Sequence, residues 1–317
     1  MPLEEVPLES NGTVVDVASA RRQSAAYVLA LMACLVMGLV SAAYGEGQNA
    51  PSDSLCAFLR VIPLVAGSVA AAFAVALGAS RLRHRPRIHG ALVAGLIFAL
   101  TLPPQTSVLP ATIAMAFGWI VGREVFGSSE RSFVHPAVLA HVFLALTWPH
   151  SLGTTSLWLP ERGAAVPWNE LWLASPGGAI GASSALACLL GALALLALGR
   201  IPWRILTAVP IGMAIGLGLL GRTGIQAPPL ALSSHLLMGS VLFGVIFLAT
   251  DPDSSPASNS GRWAHGMLIG FLIILLRLAN PMSPDGTMSA ILVASVFAPL
   301  FDHAAMAGRA KWPRSPA

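Results

Sequence analysis

Between residues 25 and 301 the chain is a series of apolar runs separated by short polar breaks, and several breaks fall inside runs too short to cross a bilayer. In hydrocarbon every backbone N–H and C=O must be satisfied within the protein, and continuous apolar runs of this kind meet that demand as helices. Composition agrees: 55% of residues are hydrophobic, only 10% are charged, and the mean hydropathy is +0.73. Soluble domains carry roughly a quarter charged residues. The expected fold class is therefore an all-α integral membrane protein.

Ten runs can be counted, at about 25–43, 57–77, 90–102, 109–121, 134–148, 179–198, 203–220, 232–249, 264–279 and 287–301. A cleaved signal peptide competes for the first, because Ser41 to Gly45 resembles a cleavage site. The long polar lead and a run near the roughly 20 residues needed to span favour an uncleaved helix. This divides the chain into an N-terminal tail (1–24), a membrane domain (25–303) and a C-terminal tail (304–317).

Two of the breaks match. GALVAGLIFALTLPP (90–104) pairs with GSVLFGVIFLATDPD (239–253), aligning Gly90 with Gly239, Thr101 with Thr250 and Pro103 with Pro252. AHVFLAL (140–146) recurs as ASVFAPL (294–300). Compositional likeness of Leu/Ala/Gly helices is the bland explanation, but a repeated Thr-x-Pro break is not compositional. Duplicated blocks of five helices must insert with opposite orientation, which predicts two inverted repeats with a ligand site where the interrupted helices meet.

Charge gives the orientation. With the N-terminus cytoplasmic, fourteen of the eighteen Lys and Arg fall in inside loops, leaving only Arg60, Arg162, Arg222 and Arg277 at outer positions. This bias supports ten spans with both termini inside. Asp251 and Asp253 are then cytoplasmic, and the segment 149–178, carrying Trp158, Trp168 and Trp172, is external. A pI near 9.5 arises from these loops and not from one basic face, which argues against nucleic acid as a partner. Cys34, Cys56 and Cys188 lie far apart and form neither a disulfide framework nor an iron–sulfur ligand set. No metal ligands and no catalytic residues are expected in the chain.

LTLPP (100–104), GREVFGSSERSFVHPAVLAHVFL (122–144), SPGGAIGASS (175–184), ATDPDSSPASNSGRW (249–263) and NPMSPDGTMSAILVASVFAPLFDH (280–303) resemble the NqrB/RnfD family, the membrane flavin subunit shared by sodium-translocating NADH:quinone reductase and the Rnf complex. The resemblance runs in order over about residues 90–303. It implies a ten-helix inverted-repeat subunit of an ion-pumping electron-transfer complex in a bacterial inner membrane, with partner proteins that carry FMN and iron–sulfur centres. It also implies FMN esterified to a threonine of an external S-G-A-T segment, and a second, noncovalent flavin such as riboflavin between the helices. The acceptor threonine maps to Thr155, with Thr154 the alternative. Here Leu152, Thr154 and Pro149 stand where the family has Ser, Ala and Asp, and Gly181-Ala182-Ser183-Ser184 lacks the Glu of the family's G-E-T-S.

The residues also have their own chemistry. Gly153 gives an acceptor loop flexibility, although a Ser/Thr-rich turn needs no further explanation. Gly177, Gly178 and Gly181 open a helix whose free N–H groups suit a phosphate, or else serve packing, as Gly212-x-x-x-Gly216 and Gly266-x-x-x-Gly270 do. Asp251, Asp253 and Asp302 are candidates for an ion path, with solvated turns or helix caps as the alternative. Arg123 and Glu124 read as snorkelling side chains at a helix end, and His141 and His235 as packing residues before haem ligands. Two other functions remain compatible with these residues: an inverted-repeat solute or ion channel, and a scaffold that has lost its covalent flavin.

Overall fold

The computed structural model describes residues 11–46, 51–83, 90–127, 132–152, 172, 178–221, 232–279 and 286–310. Among them there are no strands, only an isolated antiparallel bridge between Gly127 and Ser132. The helices are α1 (Asn11–Glu46), α2 (Pro51–Arg83), α3 (Ala91–Leu100), α4 (Val108–Trp119), α5 (Pro136–Thr147), α6 (Ala185–Ala197), α7 (Trp203–Leu220), α8 (Leu232–Leu237), α9 (Val241–Gly244), α10 (Asn259–Ala279) and α11 (Thr287–Ala310). Two of them continue as π-helix: α4 through Ile120–Val125 and α9 through Val245–Ala249. Helices α1 and α11 extend beyond the apolar runs at the two ends of the expected membrane domain.

Six helical stretches are long and apolar enough to cross a membrane: Gln23–Ala43, Phe58–Leu82, Val108–Val125, Trp203–Leu220, Asn259–Ala279 and Thr287–Ala307. The other four expected runs are helical but short, namely α3, α5, α6 and the α8–α9 pair. At 1.5 Å per residue the 12-residue α5 covers about 18 Å, against a hydrocarbon core of about 30 Å. Large apolar side chains point outward along these helices, among them Leu29, Leu59, Leu109, Leu146, Leu193 and Leu300. That pattern suits a surface bathed in lipid.

Helices α7 and α10 approach one another through the small residues that the sequence flags. A Cβ built on Gly212 would strike the backbone of Met267, and one on Gly270 the carbonyl of Val209. With little hydrophobic drive between helices in lipid, such backbone proximity supplies the packing energy. Gly118 does the same between α4 and α5, facing the Pro136 carbonyl and Ala140.

The interrupted helices share local geometry. Gly90, just before α3, has φ 90°, and Gly239, two residues before α9, has φ 74°. Such left-handed backbone is readily adopted only by glycine. At the far ends, the hydroxyl of Thr101 donates to the Phe98 carbonyl at 2.6 Å and that of Thr250 to the Ile246 carbonyl at 2.5 Å, and both threonines are buried. The two run in opposite directions: residues from the start of α3 share a cavity wall with the end of the α9 π-helix, while Leu100 and Phe243 meet at the other end against Gly181.

Candidate functional site

The two π-helical segments converge on one recess of about 250 Å³. A π-turn inserts one extra residue per turn, which rotates side chains out of α-helical register and is frequent at functional sites. From the first comes Arg123, from the second Phe247, with Asp251 and Asp253 following at the break. The start of α3 contributes Gly90, Val93, Ala94 and Ile97; α1 contributes Gln23, Ser24 and Tyr27; Trp119, Ser132, His135 and Pro136 complete the wall.

Charge inside the recess is arranged in a chain. One guanidinium nitrogen of Arg123, Nη1, donates to Asp253 Oδ2 at 3.0 Å and to Ser132 Oγ at 2.8 Å. Arg123 is thus turned inward and does not snorkel. Asp251 Oδ2 accepts from Ser254 Oγ at 3.0 Å. Burial first, then the negative charge of Asp253, pushes the Asp251 carboxyl up to about 7, against the smaller opposing effects of Ser254 and Arg123.

Neutral donors face the same space. The Trp119 indole Nε1 and the Tyr27 hydroxyl are buried, at 1% and 5% residue exposure, and neither has a hydrogen-bond partner among the described residues. A buried polar group left unbonded costs about 1–3 kcal/mol. Two of them around one cavity are groups awaiting acceptors. His135, also on the wall, caps α5: its Nδ1 accepts from the Ala137 N–H at 3.2 Å.

The third acidic candidate is occupied otherwise. The Asp302 carboxylate accepts from the N–H groups of Ala257 and Ser258 at 2.9 and 2.8 Å and from the Ser258 hydroxyl at 2.6 Å, tying α11 to the turn before α10. It borders a second hollow of about 380 Å³ with Ser254, Ser255 and Ser295, and Asp253 and Ser132 belong to the walls of both.

Thr154, Thr155 and Gly177 lie outside the described residues. Gly178 and Gly181 do not open a helix: the chain makes a single 3₁₀ turn at Ile180–Ala182, and α6 starts only at Ala185, capped by the Ser184 hydroxyl, which accepts from Ala187 N–H at 3.3 Å. Gly181 is needed for space. A Cβ there would lie 2.6 Å from the Phe243 ring and 2.9 Å from Leu100 Cβ, while Ile180 N–H donates to the Leu102 carbonyl at 2.9 Å. The turn wedges between the two interrupted helices.

His141 ties two helices through its ring, and His235 lends its backbone carbonyl to a buried arginine. His141 Nδ1 lies 3.0 Å from Thr101 Oγ1, whose own proton goes to Phe98, so the imidazole donates. The His235 and Met238 carbonyls accept from Nη1 and Nη2 of Arg277 at 2.7 and 2.9 Å. Arg277 is only 2% exposed, which its placement at an outer helix end did not anticipate. No pattern in the sequence marked Tyr27, Trp119 or His135 either. The HP pair at 135–136, a cap followed by a first-turn proline, was the one available signal.

Residues 8–310 match the model of the NQR2, RnfD, RnfE family. The chain is 35% identical over 237 residues to the subunit designated B of the Na(+)-translocating NADH-quinone reductase of Azotobacter vinelandii, covering 68% of this chain and 59% of that protein. It is 35% identical over 250 residues to the protein of the same name from Pseudomonas aeruginosa, covering 72% and 62%, and 34% identical over 242 residues to that of Yersinia pestis, covering 68% and 58%. The matched region therefore spans about three-fifths of the length of these relatives. Sequence, helical architecture and this match converge: the chain belongs to the NQR2, RnfD, RnfE family.

Proposed function

We propose that this chain is a membrane subunit of a redox-driven cation pump, passing electrons through bound flavin while Na⁺ or H⁺ crosses the bilayer. In this reading it spans the inner membrane of a bacterium ten times as two inverted blocks of five, with both termini cytoplasmic. Proteins carrying FMN and iron–sulfur centres are its partners. The observation that carries the reading is the recess between two antiparallel interrupted helices, lined by buried donors that have no acceptor among the described residues.

The residues present fit a noncovalent flavin. Tyr27 and Trp119 offer O–H and N–H to the ring's carbonyl and imine acceptors, and Phe247 adds an apolar surface. The flavin, when bound, supplies reversible uptake of one or two electrons. The protein's part is to orient the ring, exclude water and hold a proton at Asp251. Asp251, Asp253 and, through the second hollow, Asp302 form the proposed ion path. The covalent FMN belongs on Thr155, or failing that Thr154, in the external segment 149–178.

Denaturing electrophoresis of chain co-expressed with a flavin transferase tests the covalent part. A band fluorescent under ultraviolet light, with the flavin mass on the Thr155 peptide, is the expected result; a dark band with an unmodified peptide overturns it. Leu152, Thr154 and Ala182 favour one alternative, a scaffold without the ester. That reading expects Thr155→Ala to leave electron transfer by the assembled complex unchanged.

A further inference from the structure

We propose that the groove between α6, α7 and the α8–α9 pair seats an acyl chain of an anionic phospholipid, with the phosphate held at the groove's end by Arg204 and Arg200. The groove lies apart from the recess at Tyr27 and Trp119 and shares no lining residue with it.

Beside the 13-residue α6 and the 18-residue α7, the paired α8 and α9 are short, six and four residues on either side of a break at Gly239. A hollow of about 320 Å³ is left between them. Leu189 and Leu193 of α6 and Leu206 and Pro210 of α7 form two walls, and Leu242 and Ile246 form a third. Leu189 is 41% exposed and Leu193 64%, so the hollow opens outward, toward lipid. Among the described residues its lining is aliphatic throughout, with no polar side chain and no aromatic face. A flexible hydrocarbon chain matches such a surface, whereas a flat heterocycle would bring polar edges that nothing there can bond.

The groove has a charged end. Trp203, Leu206 and Pro210 lie at i, i+3 and i+7 of α7 and so share one face, and at 1.5 Å per residue Trp203 stands about 10 Å from Pro210 along the axis. Trp203 is 51% exposed and meets Trp263 edge-on at 6.1 Å, a pair of indoles of the kind that marks the head-group level. The Arg204 guanidinium lies 4.9 Å from the centre of the Trp203 ring. Arg200 is brought to the same end by the tight turn after α6, where Gly199 has φ 64° and Arg200 N–H donates to the Leu195 carbonyl at 2.9 Å. No carboxylate answers these cations locally: residues 171–250, which include α6 to α9, contain no Asp or Glu. Asp253 and Asp302 are engaged by Arg123 and by the turn before α10. Two guanidinium groups at the mouth of an aliphatic groove, with no carboxylate beside them, fit a phosphodiester that carries hydrocarbon chains. A neutral isoprenoid tail would fill the groove equally well but leave both cations uncompensated.

The test uses the full-length chain, purified in detergent both alone and with the proteins that co-purify with it. Bound phospholipid is counted by native mass spectrometry, and phosphatidylglycerol and phosphatidylcholine of identical acyl chains are titrated back. Phosphatidylglycerol is expected to stay on the chain through detergent exchange and phosphatidylcholine to be lost. Arg204→Gln is expected to weaken phosphatidylglycerol binding about fivefold, the worth of one arginine at a membrane surface. Leu193→Trp, at an exposed helix position, blocks the groove without changing the charge and is expected to abolish retention. Arg81→Gln removes an exposed arginine of α2 and is expected to match the parent. Melting temperatures in detergent establish that each variant is folded. Equal retention of the two lipids, a Leu193→Trp chain that still holds phosphatidylglycerol, or an Arg81→Gln chain as impaired as Arg204→Gln overturns the site. So does lipid held by the chain alone but absent from the assembled complex, which would assign the groove to a partner's apolar surface.

Discussion

Tyr27 and Trp119 each bury a donor that nothing in the described chain accepts, which has opposite consequences with and without a guest. Replacing Tyr27 by Phe removes the unsatisfied hydroxyl and is expected to stabilise flavin-free chain by about 1 kcal/mol. The same change should weaken flavin retention. Thermal unfolding in detergent and acid-extractable flavin, measured on one preparation, check both signs. Asp251 makes a second case. An acid whose carboxyl is raised in the fold binds its proton more tightly folded than unfolded, so its contribution is present below the ordinary carboxylate range and is lost as pH climbs toward about 7. Asp253, Arg123, Tyr27 and Ser254 surround it. Asp251→Asn should therefore flatten the fall in stability between about pH 4 and 7, read as melting temperature against pH. A slope that persists would place the titrating group elsewhere. The ion pair of Arg123 with Asp253 is partly solvated, with side chains 24% and 40% exposed, and its loss should cost no more than about 1 kcal/mol.

Among elements, α7 and α10 offer a controlled comparison. Gly270→Ala drives a methyl group into the Val209 carbonyl, an overpacking that costs about 1–3 kcal/mol. Gly218→Ala, in the same helix pair but with nothing within 4 Å of the new Cβ, should be neutral or gain up to about 1 kcal/mol from helix propensity. Equal melting temperatures for the two would mean that the close approach is not what holds α7 to α10. The interrupted helices show what was legible from residue types. Gly90 and Gly239, aligned by sequence, both carry positive φ, and Thr101 and Thr250 both close their helices through their own hydroxyls. These are local events encoded by a few neighbours. The convergence of Tyr27, Trp119 and His135 depends on how α1, α4 and α5 pack, across a long stretch of chain, and each residue is ordinary within its own helix. The start of α6 was misplaced for a similar reason: glycines at 178 and 181 suggested a helix opening, but Gly181 answers to Phe243 and Leu100, which are distant in sequence.

At the scale of the molecule, the arginine-dense loops and the segment 149–178 should face opposite sides of the membrane. Cysteines introduced as Ala257→Cys, at an exposed turn, and as Trp158→Cys should be labelled by a membrane-impermeant maleimide from opposite faces. The native Cys34 and Cys188 are buried, and Cys56 is replaced by Ser in both variants so that it takes no label. Labelling of both from the same face would remove the orientation and with it the inverted arrangement.

The opposed courses of α3 and α9 bear on what the recess attracts. Peptide dipoles give a helix about half a positive charge at its start and half a negative charge at its finish. Here the start of one and the finish of the other border the same space, so their fields largely cancel. An anion arriving at that mouth meets no net pull from the backbone, and a guest without formal charge gives up nothing by entering.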